Sequence, residues 1–201
     1  MGVQSDVQVG FIADENVADP DRLVTAARPD TSATMAETTF LGGGARNVTV
    51  TTTGTGDNAK TCTITGTDVF SNAITEVIVS TGSAEAVAGA KLFLTVSAVE
   101  CSAQYAANIT VGSGSLCASA VAGGNRTRMK GYSIVSAGTA GLVDFYNGTP
   151  EDGTIIFKAQ TIGTDNTTID NTIPDEGILF GSGLAVAYTV ATVVLANIFF
   201  A

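Results

Sequence analysis

Short runs of alternating apolar and polar residues, separated by glycine-rich turns, recur along most of this 201-residue chain. This period of two is expected of strands with one buried face. Gly, Asn, Asp and Ser, the residues that favour turns, lie between the runs. The alternation is clear at three pairs of positions: Val48 and Val50, Cys62 and Ile64, and Val77 and Val79. The pattern predicts an all-β protein made of antiparallel sheets.

Changes in this pattern along the chain predict two small β-sandwich domains. Residues 1–43 are irregular and rich in Asp, Pro and Thr, which is typical of an extended N-terminal arm. Residues 44–115 carry regularly spaced strands, as in an Ig-like sandwich. Residues 116–130 are mostly small or polar, so we expect a linker there. Residues 131–201 resume the strand pattern, and we expect a jelly-roll-like sandwich in which 163–177 form a loop.

The C-terminal segment has no charged residue from Gly181 to Ala201. A membrane-spanning helix is therefore one interpretation. However, Leu184, Val186, Tyr188 and Val190 alternate with small residues, and no Lys or Arg flanks the segment. We expect two antiparallel strands that pair with each other as a final hairpin, with these four side chains on one buried face.

The composition limits the kinds of partner. Charged residues make up 14% of the chain and its net charge is −10. An acidic protein repels phosphate backbones, so we predict no nucleic-acid partner. The low charged fraction favours a surface that is partly covered by other proteins. Arg126, Arg128 and Lys130 form the one basic cluster in the sequence. It is either a binding site or, more simply, part of a solvated linker.

Few residues are suited to catalysis. The chain has no His, which excludes His-dependent triads. It has no Trp and only 6% aromatic residues, so platforms for stacking sugars are scarce. Paired carboxylates could still act as acid and base. The candidates are Asp144 and Glu151 beside one turn, and Asp165, Asp170, Asp175 and Glu176 in the predicted loop. We expect these to be solvated turn residues, and we assign no catalytic, cofactor-binding or metal-binding residue.

Cys62, Cys101 and Cys117 have no metal-ligand spacing. The N-terminus has no basic segment followed by a long apolar run, so no signal peptide is predicted. We therefore expect synthesis in a cytoplasm, with the thiols reduced and packed as small apolar residues. A Cys101–Cys117 disulfide is the alternative.

Two parts of the sequence carry a resemblance to known proteins. TCTITGTDVFSNAITEVIVS at 61–80, followed by AKLFLTVSAVECS and ITVGSGS, resembles a domain that recurs in virion proteins of tailed bacteriophages. GLVDFYNGTPEDGTIIFKAQ at 141–160 and IPDEGILFGSGLAVAYTVATVVLANIFFA at 173–201 are similar to small β-sandwich structural proteins of phages. The resemblance supplies no catalytic residues.

The resemblance implies a non-enzymatic decoration or cement protein on the phage head. Such a protein would bind the major capsid protein as a homo-oligomer, with a trimer as the expected state, and would need no cofactor and no membrane. A neck, tail, baseplate or fibre protein of the virion is the alternative. An extracellular adhesin or carbohydrate-binding module is a further one, but it would need an export route.

Overall fold

The computed structural model describes residues 7–13 and 17–201. In these ranges the chain forms antiparallel strands and a single-turn 3-10 helix at Thr55–Asp57, which confirms the predicted all-β class. The strands are β1 Gln8–Ala13, β2 Val24–Ala27, β3 Ala45–Thr52, β4 Thr61–Thr67, β5 Ala73–Val79, β6 Ala86–Phe93, β7 Thr95–Cys101, β8 Ile109–Ala122, β9 Thr127–Ser136, β10 Leu142–Asn147, β11 Thr154–Gln160, β12 Thr167–Thr172, β13 Ile178–Phe180, β14 Leu184–Thr189 and β15 Val193–Phe200.

The described residues divide into two compact units. One contains residues 17–117, and the other combines 7–13 with 118–201. The boundary between residues 117 and 118 falls inside β8. The N-terminal strand β1 belongs to the unit that contains the C-terminal residues. These bounds differ from those predicted because β1 pairs with β15 near the other end of the sequence.

The unit 17–117 is a sandwich with a single apolar core. One sheet contains β6, β3 and β8, with β2 added to β8, and the other has the order β5-β4-β7. Inward-facing residues of both sheets make the core, among them Val48, Val50, Cys62, Ile64 and Phe93. The alternation read from β4 therefore marks its buried face correctly, whereas β3 is buried on both faces, with Val48 and Val50 on the side of the core.

The N-terminal arm predicted at 1–43 is part of this core where the structure describes residues 17–43. Leu23, Val24 and Phe40 are at most 4% exposed and pack in the sandwich core. Strand β2 pairs with β8, and Ser32 and Thr39 form isolated bridges to β7. The segment consists of β2, two bridges, turns and bends, and it is a structural part of the sandwich because its apolar residues fill the core.

The unit made of 7–13 and 118–201 is also built from two sheets. One has the order β1-β15-β9-β12, with β13 paired to β9, and the other contains β11, β10 and β14 beside β8. Tyr132 of β9 contacts Phe145 of β10 and Phe157 of β11, with ring centroids 5.9 and 5.7 Å away. These rings join the two sheets, with Ile134 and Ile198 buried nearby in the same unit.

The segment predicted as a linker, 116–130, lies mainly in strands. Residues up to Ala122 belong to β8, and β9 begins at Thr127. Two glycines of β8 just before this segment are placed by crowding: a Cβ at Gly112 would collide with the backbone of Asp19 and Pro20, and one at Gly114 would collide with the side chain of Asn47. Glycine permits this close approach. A strand that contains such glycines has the same sequence pattern as a flexible linker, so the sequence alone does not separate the two.

The C-terminal segment forms the two predicted strands, but they do not pair with each other. Strand β14 pairs with β10, whereas β15 pairs with β1 and β9 in the other sheet. The predicted hairpin is therefore wrong, because the turn between the strands carries the chain from one sheet to the other. Leu184, Val186 and Tyr188 are buried as predicted, while Val190 lies beyond β14 and is half-buried.

Two further predictions differ from the structure. The predicted loop 163–177 contains β12, which pairs with β9. In β5, Val77 and Val79 are 56% and 51% exposed, and Ile78 faces the core instead. Both faces of β5 carry aliphatic residues at a period of two. The sequence pattern therefore predicts a strand but does not show which of its faces is buried.

Candidate assembly surface

Strand β1 presents an exposed apolar face. Its side chains alternate, with Ile12 3% exposed and Val9 and Phe11 54% and 67% exposed. Gly10 lies against Val121, where a Cβ would collide with the valine side chain. The buried face of β1 thus fits the interior of its unit, and the larger side chains are left on the outer face.

The neighbouring strand extends this face. Val9 lies opposite Phe199 and Phe11 lies opposite Asn197 in the antiparallel register of β1 and β15, and Leu195 lies two positions before Asn197 on the same face. Directly opposite residues project from the same side of a sheet. Phe199 and Leu195 are half-buried, so they add apolar surface beside Val9 and Phe11. We call these four residues, together with the 44% exposed Val7, the β1–β15 patch.

The patch lies at an edge of its sheet. Strand β1 is at the end of the order β1-β15-β9-β12, so its second edge pairs with no other strand in the described part of the chain. Such an edge can accept a strand from another molecule through main-chain hydrogen bonds. Exposed apolar side chains next to it would be buried in the same contact.

The opposite edge of the sheet is polar. Strand β12 has the sequence TTIDNT, with Asp170, Asn171 and Thr172 exposed. Polar and charged residues on an edge strand discourage association. The two edges of one sheet therefore differ in a way that favours contact at β1 over contact at β12.

The basic cluster of the sequence does not form a joint site. Arg128 donates to the backbone carbonyl of Glu176 at 3.2 Å and lies 3.8 Å from its carboxylate, and Lys130 donates to the carbonyls of Asp175 and Glu176. These two side chains hold the turn before β13. Arg126 instead lines an open cleft of about 420 Å³ with Val121 and Phe200.

The candidate carboxylates have separate structural surroundings. Asp144 lies opposite Lys158 in the β10–β11 pair and forms an ion pair with it at 3.1 Å. Asp165 and Asp170 are exposed, and Asp175 and Glu176 belong to the turn held by Arg128 and Lys130. Glu151 lies in the turn between β10 and β11. In residues 7–13 and 17–201, no group of three or more Cys, Asp or Glu side chains is placed to hold a metal ion.

A buried carboxylate that the sequence did not reveal joins two loops of the unit 17–117. Asp57 is fully buried and accepts hydrogen bonds from Thr52 Oγ1 at 2.9 Å, Lys60 Nζ at 2.8 Å and the backbone amides of Ala106 and Ala107 at 2.6 and 3.2 Å. Burial alone would raise the pKa of Asp57, but these hydrogen bonds outweigh it and lower the pKa to about 2. All its partners are structural groups, which indicates a stabilising role.

The cysteines are free thiols, and two of them are neighbours. Cys62 of β4 lies opposite Cys101 of β7, and their sulfur atoms are 3.9 Å apart. Cys62 is fully buried and also contacts the hydroxyl of Tyr105 at 3.2 Å. The pairing of Cys62 with Cys101 was missed because the two residues are 39 positions apart in sequence.

Two residues of the segment 61–80 have clear structural roles. Asp68 accepts hydrogen bonds from the backbone amides of Phe70 and Asn72, which shapes the β4–β5 turn. Glu76 faces inward from β5 and accepts a hydrogen bond from the backbone amide of Ala90 at 2.7 Å. The TGTD and AITE sequences therefore serve the fold of this unit.

Comparison with protein-family models, curated proteins and solved structures gives no match for this chain. No helix in the described part of the chain is long and apolar enough to span a membrane. The segment after Gly181, for which a membrane helix was the alternative interpretation, consists of β14 and β15.

Proposed function

We propose that this protein is a non-enzymatic structural component of a tailed-phage particle. In this proposal it is made in the host cytoplasm and acts as a decoration or cement protein on the head surface. It bridges subunits of the major capsid protein as a homo-oligomer, with a trimer as the expected state. The observation that carries the proposal is the β1–β15 patch, because it places exposed apolar side chains beside an open sheet edge.

The chemistry of this patch supports assembly. Val9 and Phe11 are more than half exposed on the edge strand. Burying such a side chain contributes about 1.5–3 kcal/mol when it is fully removed from water. A strand of another molecule added at this edge would bury these side chains and pair the main chain at once. The patch therefore suits a contact with another protein.

Weak contacts of this kind suffice for a decoration protein. Each copy need only bind modestly, because a closed oligomer that holds several capsid subunits at once gains affinity through effective concentration. A trimer matches the local three-fold positions of a capsid lattice. The net charge of −10 also disfavours a role in packaging or binding the genome.

The sequence resemblance supports a role in the phage particle but does not indicate a position on it. Asp68 and Glu76 explain the phage-like TGTD and AITE sequences as features of a sandwich fold. Their structural role is consistent with a domain that is reused as a building block. A position at the neck, tail, baseplate or fibre uses the same kind of contact, so locating the protein in the intact particle is needed to separate these positions from the head.

The experiment replaces Phe11 with Asp in the full chain. We expect Phe11→Asp to weaken both self-association, measured by sedimentation velocity, and occupancy on purified heads that lack this protein. The matched control is Val77→Asp, because Val77 is 56% exposed on the edge strand β5 of the other unit. It should leave both properties unchanged.

Two results would contradict the proposal. If Phe11→Asp assembles and binds heads as the wild type does, the β1–β15 patch is not the assembly surface. If the wild-type protein binds host-cell glycans and not phage particles, the adhesin interpretation replaces the proposed function.

A further inference from the structure

We infer that Cys62 and Cys101 form a disulfide when the folded protein meets a low-molecular-weight disulfide under oxidising conditions. This site rests on the geometry of β4 and β7 alone and is independent of the proposed function. It is a different pairing from the Cys101–Cys117 disulfide, which was the alternative expected from the sequence.

The register of the two strands brings the cysteines to the same face. The amide of Ser102 donates to the carbonyl of Thr61 at 3.0 Å, and the amide of Cys101 points away from β4 and donates to Thr31. Cys62 and Cys101 are therefore a non-hydrogen-bonded pair, the arrangement in which opposite side chains are closest. Cα atoms about 4.5 Å apart lie within the range that a disulfide spans.

The sulfur atoms are already in contact. Their separation of 3.9 Å must shorten by about 2 Å to form the bond, a change that rotation about the Cα–Cβ bonds can supply. Cys101 is half-buried at the end of β7, whereas Cys62 is fully buried. A reagent from solvent therefore reaches Cys101 first, and Cys62 is placed to react second.

Hydrogen bonding in the reduced protein makes Cys62 the more readily ionised thiol of the pair. The contact with Cys101 and the hydroxyl of Tyr105 lower the pKa of the Cys62 thiol, although burial acts in the opposite direction. The same contact raises the pKa of Cys101, so the proton of the pair stays on Cys101. The thiolate is the nucleophile in disulfide exchange.

The reaction has two exchanges. In the first, Cys101 Sγ passes its proton to the neighbouring thiolate of Cys62 and attacks the external disulfide, so that a mixed disulfide forms and one external thiolate leaves. In the second, Cys62 Sγ loses that proton to solvent and attacks Cys101 Sγ, the mixed disulfide breaks and the second external thiolate leaves. The external disulfide is reduced to two thiols, which take up the two protons, and the cysteine pair is oxidised.

The test incubates the folded full-length protein with oxidised glutathione, then blocks and counts free thiols in denaturant. We expect the count to fall from three to one, with no glutathione retained. Trypsin cleaves after Lys60, Lys91 and Arg126, which places Cys62 on peptide 61–91 and both other cysteines on peptide 92–126. The disulfide should join these two peptides.

Variants identify the partner of Cys62. Cys117→Ser should keep the cross-link, and Cys101→Ser should abolish it. The cross-link closes the chain between residues 62 and 101, so the oxidised wild type should melt on the order of 10 °C higher than the reduced protein. The Cys101→Ser variant should show no such shift.

Three outcomes would overturn the inference. Three free thiols after oxidation would show that the pair does not react. Glutathione retained on Cys101 would show that Cys62 cannot displace it. A cross-link that survives in Cys101→Ser and is lost in Cys117→Ser would assign the disulfide to Cys117.

Discussion

Replacing Asp57 with Asn should destabilise the unit 17–117 in a pH-dependent way. The carboxylate is fully buried and accepts four hydrogen bonds, one of them from the ammonium group of Lys60. An Asn side chain has only one oxygen and would direct amide hydrogens at groups that are themselves donors. Breaking one partner of a buried ion pair typically costs about 3–5 kcal/mol. We expect about 3 kcal/mol at pH 6, because Lys60 also donates to the carbonyl of Gln104.

The lowered pKa sets how this effect changes with pH. The pKa of Asp57 falls from an ordinary value of 3.8 to about 2 in the folded protein. The unfolded chain therefore binds the proton more tightly, and the carboxylate stabilises the fold above pH 3.8. This contribution is about 2 kcal/mol, from about 1.4 kcal/mol per pH unit, and it is lost as the pH falls through about 2.

The assay is urea denaturation of wild type and Asp57→Asn at pH 6 and at pH 2. The difference in unfolding free energy should shrink by about 2 kcal/mol at the lower pH. Asp30→Asn is the matched control, because Asp30 is an exposed carboxylate in the same unit, and it should change stability by less than about 0.5 kcal/mol. Hydrogen exchange should also quicken at the amides of Ala106 and Ala107 in Asp57→Asn. An equal difference at both pH values would contradict the lowered pKa of Asp57 in the folded protein.

Two further substitutions test the packing of the chain. Leu23→Ala should cost about 2–5 kcal/mol, because Leu23 is fully buried in the core, whereas Val17→Ala at an 84% exposed position should cost less than about 0.5 kcal/mol. If Leu23→Ala and Val17→Ala lower the melting temperature equally, residues 17–43 form a separate arm and are not part of the core. Val186→Asp should destabilise by several kcal/mol because it buries an unpaired charge, and Val194→Asp, at a 41% exposed position, should be tolerated. A Val186→Asp protein as stable as the wild type would contradict the assignment of its face.

Local pattern predicted those parts of the fold that depend on a single strand. The alternation of Cys62 and Ile64 identified the buried face of β4, and that of Leu184 and Val186 did the same for β14. In β5 the same reasoning could not choose a face, because Glu76 faces inward to bind the backbone amide of Ala90. Glu76 interrupts the row of apolar residues on the inner face of β5, so this face cannot be recognised from sequence unless the backbone partner at Ala90 is known.

Pairings between distant segments could not be predicted. The partner of β15 is β1, almost the whole chain away, so the expected C-terminal hairpin was replaced by pairing between the two ends of the described chain. Asp57 likewise depends on the amides of Ala106 and Ala107, which lie about 50 positions further along. No local pattern carries this information.

The exposed face of β1 has a signal in the sequence. Val7, Val9 and Phe11 alternate with Gln8 and Gly10, which is the period of a strand. The surrounding Asp- and Pro-rich composition concealed it, and Gly10 interrupts the opposite face. The structure explains this glycine by its contact with Val121.

Locating the protein in an electron-microscopy map of the intact phage particle would show whether it decorates the head. We expect many copies arranged over the head lattice, with strand β1 and the β1–β15 patch in contact with a neighbouring copy or with the major capsid protein. Density for this chain only at the neck, tail or fibres would contradict the decoration role, and its absence from the particle would contradict a structural role in the virion.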